Sequence, residues 1–384
     1  MTSSSCSFRK FFFFSVKKIA QTSLCPFFTR RRIVLYLPLH VERQKFGSLY
    51  NAHAIVLPIL FSPTYTIILH TYSIKQIDMK TLSCVIFTLL LGTLISCKNP
   101  QKPAETLSEL PSSYVTVNDS LVIHYKVHES DEPTANRVTL CFVHGFGCDL
   151  NTWKEQFADL CLDPSLRLVF VDLPGHGQSS KPHVDYTLDY YAKAVEAVLQ
   201  QLSTSPTVLI GHSLGTPVCR QLVFNNPHYS GFVDVDGVYC FYDNTTTPEY
   251  VAAVQAFGSM FDGPDCKEVI EGFVQSLSGP STPEDVVSYA MSTMPHTPQY
   301  VASSTMHNLI DTCWWTGESI SLPSLVICTQ NSGIDPDNMQ KMMLLYADLS
   351  YKELNTCGHF IHMEQPAFFN QCLRDFVGSL YLGD

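Results

Sequence analysis

Charge is scarce in this chain: Asp, Glu, Lys and Arg make up 15% of its 384 residues, against 45% apolar residues. The main body has no Lys/Arg cluster, no cysteine spacing of the zinc-binding kind and no internal repeat. The charge that exists is unevenly placed. Residues 1–78 hold ten Lys/Arg and two Asp/Glu, whereas residues 98–384 hold thirteen Lys/Arg and thirty-three Asp/Glu. A body so acidic repels phosphate backbones and anionic bilayers, which excludes nucleic acid as its partner. The abundance of apolar residues in one long chain fits a globular protein with a sizeable core.

Two segments precede that body. Met79 and Lys80 open "MKTLSCVIFTLLLGTLISCKN", which runs without charge from Leu82 to Ser96. That pattern is a basic n-region and an h-region too short for a comfortable membrane span. Its end, Leu94-Ile95-Ser96-Cys97, resembles the bacterial lipobox. The resemblance implies that Cys97 is diacylated, becomes the first mature residue and holds an exported domain on a membrane of the cell envelope. Residues 1–78 are apolar and basic without a steady period, and Pro58 and Pro63 break their best candidate span. An export signal does not work from behind such a segment, so translation is expected to start at Met79. The alternative is a genuine N-terminal membrane segment. Residues 98–113, polar and punctuated by proline, read as a tether.

From Tyr114 the chain alternates between two periods. "YVTVN" and "LVIHYKVHE" form an expected hairpin turning at Asn118-Asp119. "RVTLCFVHG", "LRLVFVDLPG", "TVLIGHS", "GFVDVDGV", "SLVICTQ" and "LSYKELNTCGH" follow as short apolar runs, most of them separated by helical patterns. "YTLDYYAKAVEAVLQQL" is one such pattern, apolar at Leu188, Tyr191, Ala192, Val195, Val198 and Leu199. Buried strands alternating with amphipathic helices predict an α/β fold with a mostly parallel sheet covered on both faces. The interval from Val238 to Leu322 is too long for a single crossover. It predicts a helical cap at about 240–320, over the sheet edge where open α/β folds bind ligands. Cys141, Cys219 and Cys328 lie in apolar runs and read as buried thiols. Cys148, Cys161, Cys240, Cys266 and Cys313 fall in loop-like or cap-like regions, where export would permit some pairing.

Three stretches carry candidate chemistry. In Gly211-His212-Ser213-Leu214-Gly215 an apolar run turns sharply into a helix, and glycines on either side of the serine relieve the crowding. His144-Gly145-Phe146-Gly147 follows another strand. Its loop suits a backbone N–H for an oxyanion, with the amides of Phe146 and Leu214 as the two donors and His144 shaping the loop. "CGHFIHMEQPAFF" returns His359 to the same edge as a base for Ser213. His362 reads as a packing or supporting residue, and a metal site on His359 and His362 lacks a third ligand, so no metal is expected.

Together "VHGFG", "VDLPGHGQS", "GHSLG" and "GHFIHMEQP" resemble the α/β-hydrolase superfamily, in its esterase/lipase-like branch, from Tyr114 to the C-terminus. The resemblance implies an eight-stranded sheet with an inserted helical cap, a Ser–His–acid triad and no cofactor. It makes Asp172–Ser179 a structural loop, and Ser213 rules against the branches with an aspartate nucleophile. The expected function is hydrolysis of a small to medium apolar carboxylic ester through an acyl-enzyme. Alternatives are an amide, lactone or C–C bond hydrolase on the same machinery, or a non-catalytic ligand-binding protein of the same fold. The cap supplies Phe241, Tyr242, Tyr250, Phe257, Met260, Phe261, Phe273, Met291, Trp314 and Trp315, many of which are expected to be core, with enough remaining for an apolar acyl or alcohol pocket of modest size. The acid is the departure. Family chain order points to Asn331-Ser332, where no carboxylate stands, so the choice falls on Asp335, which also fits an N-cap before Pro336. Asp337 and Asp236 are the rivals, the latter at the end of the preceding strand.

Overall fold

The computed structural model describes residues 40–42, 51–53, 106–130, 137–203, 206–240, 246–315, 317–330 and 336–381. The chain divides into two units, residues 1–100 and 101–384. Of the first unit, the described residues are two short strands, His40–Glu42 and Asn51–His53, paired antiparallel. The signal-like segment and Cys97 lie outside the described residues.

The second unit holds eight strands: β1 (Ser113–Asn118), β2 (Leu121–Glu129), β3 (Val138–Val143), β4 (Leu166–Val171), β5 (Thr207–His212), β6 (Gly231–Val235), β7 (Ile320–Thr329) and β8 (Tyr346–Leu354). They form one sheet in the order β8-β7-β6-β5-β3-β4-β2-β1. Pairing is parallel from β8 to β4 and antiparallel at β4–β2 and β2–β1. The helices are α1 (Lys154–Leu160), α2 (Leu188–Leu202), α3 (Gly215–Asn225), α4 (Pro248–Ser259), α5 (Cys266–Leu277), α6 (Glu284–Thr293), α7 (Gln299–Leu309), α8 (Pro336–Met343), α9 (Ile361–Glu364) and α10 (Pro366–Tyr381). Among the described residues no helix is long and apolar enough to cross a membrane.

The strand pleat sorts side chains into two cores, one on each face. On β3, Leu140 and Phe142 point to one core while Cys141 and Val143 point to the other. The first face packs under α1 and α10, where Trp153, Phe157, Phe369 and Leu373 are fully enclosed. Trp153 sits 5.2 Å from the Phe142 ring, and truncating it to alanine would cost about 3–5 kcal/mol. The second face packs under α2 and α3. The buried stripe of α2 is the one its spacing dictates, with Tyr191, Ala192, Val195, Val198 and Leu199 inside and Thr187 accepting the Tyr190 amide as N-cap.

The chain is already packed at Thr106, inside the stretch expected to be tether. Leu107 and Leu110 are buried, and the Lys126 ammonium donates to the carbonyls of Leu107 (3.0 Å) and Ser108 (2.7 Å). Two leucines in a polar segment are enough to seat it. Among the described residues no disulfide forms; Cys141, Cys219 and Cys328 are buried thiols, and Cys313 is exposed.

Four α-helices, α4 to α7, lie between β6 and β7. They pack over the loops that leave the C-terminal ends of β3 and β4. Tyr289 Oη donates to Asp149 Oδ1 (2.9 Å), the Phe261 ring meets Phe146 edge-on at 5.9 Å, and Tyr191 and Thr305 share a buried hydroxyl contact at 2.7 Å.

Candidate active site

Ser213 directly follows β5, and Asp236 directly follows β6. His212 and Val235 are register partners, so the two residues emerge side by side from neighbouring parallel strands. Both take left-handed backbone conformations, with φ 53° at Ser213 and 45° at Asp236. Such values are uncommon for residues with a side chain and mark turns held by their surroundings. The Ser213 amide donates to Val235 O (3.0 Å) and the Asp236 amide to Ile327 O (2.8 Å), which pins each turn to the next strand. The glycines around Ser213 are demanded by close approach. A Cβ at Gly211 would collide with the Gly215 carbonyl, and one at Gly215 with the Val143 carbonyl. Ser213 itself is half-buried at the edge, with α3 starting two residues on.

His359 reaches this edge from the loop after β8. Its Nδ1 donates to Asp236 Oδ2 at 2.6 Å, and Asp236 Oδ1 accepts the Thr329 amide at 3.0 Å. The Asp236 side chain is fully buried, and that of His359 is 12% exposed. A buried carboxylate on Nδ1 fixes the tautomer, leaving Nε2 as the basic nitrogen. The imidazole's backbone is held as well. His359 N donates to Leu277 O (2.9 Å) at the end of α5, and His359 O accepts from His212 Nε2 (3.0 Å).

Chain order favours Asp335 as the acid, with Asp337 and Asp236 as rivals; the described carboxylate in contact with the imidazole is Asp236. Asp335 lies outside the described residues, immediately before α8, and nothing is described of the Asp337 side chain on that helix. Adjacency brings Asp236 there: β6 borders β5, so its first loop residue is already beside the serine turn.

The loop after β3 closes the other side. A Cβ on Gly145 would lie 3.0 Å from Ser213 Cβ and 3.0 Å from His212 Nδ1, so a side chain there would press on the serine turn. Phe146 and Leu214 are buried, and among the described residues neither amide donates to an acceptor. His144 shapes the loop from inside, its Nδ1 on Gly145 O (2.7 Å) and its Nε2 accepting the Leu173 amide (3.0 Å). Asp172 is structural in the same sense, since its carboxylate accepts the amides of Leu150 (2.7 Å) and Gln178 (2.8 Å) and pairs with His124 Nδ1 (2.7 Å).

His362 packs under the site, 4.3 Å from the Trp153 ring and with Nε2 on Thr152 Oγ1 (2.9 Å). Burial pulls its pKa down to about 3 and that of His212 well below the ordinary imidazole value, so both stay neutral. No group of three His, Cys, Asp or Glu able to hold a metal occurs among the described residues.

One supporting residue escaped the sequence reading. Glu364, nearly buried on α9, accepts the amides of Gly358 (2.9 Å) and Phe360 (3.2 Å) and the Thr282 hydroxyl (2.8 Å). It thereby grips the loop on both sides of His359 and ties it to the cap. Its place five residues after the histidine was the available signal. On the cap side Phe146, Phe257 and Phe273 pack around the fully buried Phe261 with ring centroids 5.5–6.2 Å from it, as part of the core.

Residues 138–229 match the family described as alpha/beta hydrolase fold. A thermophilic esterase from Thermogutta terrifontis superposes with a TM-score of 0.59 at 19% identity, over 71% of this chain and 99% of that one. The enol-lactonase from Burkholderia xenovorans LB400 gives 0.56 at 19%, over 69% and 99%. This chain has the α/β-hydrolase fold. Among curated relatives, the 2-hydroxy-6-oxononadienedioate/2-hydroxy-6-oxononatrienedioate hydrolase of Pseudomonas sp is 21% identical over 280 residues, which is 69% of this chain and 96% of that protein. Protein ABHD8 of Homo sapiens is 39% identical over 92 residues, a stretch that is 21% of its length. These relatives place the α/β-hydrolase fold and the eight-stranded sheet; substrate is a separate matter.

Proposed function

We propose that the protein is a serine hydrolase that cleaves a carboxylic ester through an acyl-enzyme. The observation that carries this reading is the His359–Asp236 pair at the sheet edge where Ser213 is lifted on a left-handed turn. In the proposed cycle, His359 Nε2 takes the Ser213 proton as Oγ attacks the ester carbonyl, and returns it to the departing alcohol. Water then repeats the sequence on the acyl-serine. Asp236 keeps the imidazole in its tautomer and stabilises the imidazolium. The amides of Phe146 and Leu214 donate to the oxyanion, each donor being worth about 2.7–4 kcal/mol in the transition state.

The acidic body disfavours an anionic acyl or alcohol group. Lactones and amides are the substrates to test beside esters, because the same machinery attacks any of these carbonyls. We further propose that Cys97 carries lipid and that the hydrolase body is displayed from a membrane of the bacterial envelope. The apolar, signal-like run from Leu82 to Ser96 supports this reading.

The deciding experiment is a panel of p-nitrophenyl esters of graded chain length, alongside labelling with a fluorophosphonate. Turnover and labelling of the wild type, both lost in Ser213→Ala, are expected. A folded wild type that neither turns over nor labels would favour a ligand-binding role.

A further inference from the structure

Two residues before Asp236, on β6, lies a second carboxylate. Asp234 is completely buried, and its carboxyl is held by hydrogen bonds. Its Oδ1 accepts the Gly237 amide (3.0 Å) and stands 3.2 Å from the Thr216 hydroxyl. Its Oδ2 accepts from Tyr346 Oη (2.7 Å) and from Tyr239 Oη, and the two phenol oxygens also touch each other. Thr216 Oγ1 is at the same time 2.8 Å from Gly211 O. Asp234 therefore stands between the turn that lifts Ser213 and the turn that presents Asp236.

The same carboxylate meets the outgoing stem of the cap through Tyr239, and that tyrosine reaches the returning stem. Tyr239 belongs to the segment leaving β6, and its ring is 6.1 Å from Trp315, in the segment that returns to β7. Arg220, buried on α3, holds that return by donating to Trp314 O (2.9 Å), with its guanidinium 5.5 Å from the Trp315 ring. We propose that Asp234 is a positioning residue for the hydrolytic reaction, fixing Asp236 and through it His359 by joining the serine turn, the acid turn and the cap stems. This rests on the serine-hydrolase reading given above.

The geometry argues for the role in two ways. Asp236 sits at φ 45°, an uncommon conformation even for an aspartate, and the Gly237 amide on Asp234 holds the next peptide. Both phenols converge on one carboxyl oxygen, so Asp234 ties β8 and the segment leaving β6 to the same point. Burial pushes Asp234 up to about 7, assisted by the nearby Asp236 charge and opposed by hydrogen bonds from Tyr346, Thr216 and Gly237. The other titratable groups facing it are Arg220 from α3 through Tyr346, and the buried thiols of Cys219 on α3 and Cys328 on β7, both kept protonated by burial. An asparagine cannot serve both sides of Asp234. With its oxygen toward the phenols, its NH₂ confronts the Gly237 amide.

The test compares Asp234→Asn, Tyr239→Phe and Tyr346→Phe in the full chain, using a p-nitrophenyl ester from pH 5 to 9, with Ser213→Ala and Asp236→Asn as references. Asp234→Asn is expected to lower kcat about 10- to 100-fold with KM little changed, as befits a small displacement of a catalytic group. The wild-type kcat profile should carry an ionisation that is absent in Asp234→Asn. The two phenylalanine variants should shift kcat in the same direction, and they decide the matter if Asp234→Asn does not fold. Variants with a lower Tm but wild-type kcat and pH profile, next to an inactive Asp236→Asn, overturn the proposal. Retained activity in Ser213→Ala instead overturns the underlying reading, and the positioning role with it.

Discussion

His359 Nδ1 stands 2.6 Å from Asp236 Oδ2, while the other oxygen of that carboxylate accepts the Thr329 amide at 3.0 Å. One buried aspartate thus spans the edge of the sheet from β7 to the loop after β8. Neutralising it should leave the imidazole free to take the wrong tautomer. Asp236→Asn is expected to lower kcat about 10⁴-fold in an otherwise folded enzyme. Asp335→Asn should leave kcat within a few-fold of wild type and cost at most a helix cap, about 1 kcal/mol. Steady-state kinetics and Tm of the two variants check this. Loss of turnover in Asp335→Asn with activity kept in Asp236→Asn would reverse the assignment.

The serine turn makes a second, purely steric prediction. A Cβ at position 215 would meet the carbonyl oxygens of Val143 and His144, both backbone atoms that have no rotamer to yield. Gly215→Ala must therefore push α3 away from β3 or unfold the turn. Overpacking of this kind costs about 1–3 kcal/mol or more, and the displaced Leu214 amide should depress kcat further. The measurement is Tm together with the rate of fluorophosphonate labelling. A variant matching wild type in both would mean that the serine turn is looser than described.

Much of this architecture could be read from residue order, because the sheet imposes its own period. The runs ending at Val143, Val171, His212 and Val235 are buried nearly throughout, and so they appear as mostly apolar stretches between glycines or loops. Ser213 is legible because it directly follows an apolar run and stands between two glycines, and His359 because it follows Gly358 ahead of the final helix. Asp236 was harder. It also follows a strand, but the two candidate strands β6 and β7 end alike, and which end faces the histidine depends on where the loop after β8 comes to rest. That is a tertiary fact. Glu364 and Asp234 were missed for a related reason: each acts by accepting backbone amides or phenol protons from elements far along the chain, and such contacts leave no local pattern.

The lipid anchor has its own test. If Cys97 is acylated, Cys97→Ala should move the protein from the membrane fraction to the soluble fraction or stall its processing, since each buried CH₂ contributes about 0.8 kcal/mol of membrane affinity. Ester hydrolysis by the released protein should match wild type. Complete retention in the membrane fraction after signal cleavage would require another anchor.

Stability should fall steeply in mild acid, and buried histidines are the reason. His176 and His362 are held down to about 3, and His212 well below its ordinary value, chiefly by burial and then by neighbouring histidines. In the unfolded chain each would titrate at about 6.5. Between these limits the unfolded state binds protons that the native state refuses, so unfolding free energy rises with pH, by up to about 1.4 kcal/mol per pH unit for each histidine. The contribution is fully present above about pH 6.5 and is lost as pH falls toward 3. Asp234 works against it. Its native pKa of about 7 exceeds the unfolded value, so its stabilisation is complete only below about pH 3.9 and is lost as pH rises through 7. Three histidines outweigh one carboxyl, and the net slope between pH 4 and 6 should be positive. Chemical denaturation at several pH values measures it. His176→Asn keeps a donor for the Pro174 carbonyl, which His176 Nδ1 now contacts at 2.9 Å, while removing one titrating ring. That variant should flatten the slope by roughly one histidine's share, and an unchanged slope would show that His176 is not protonated only on unfolding.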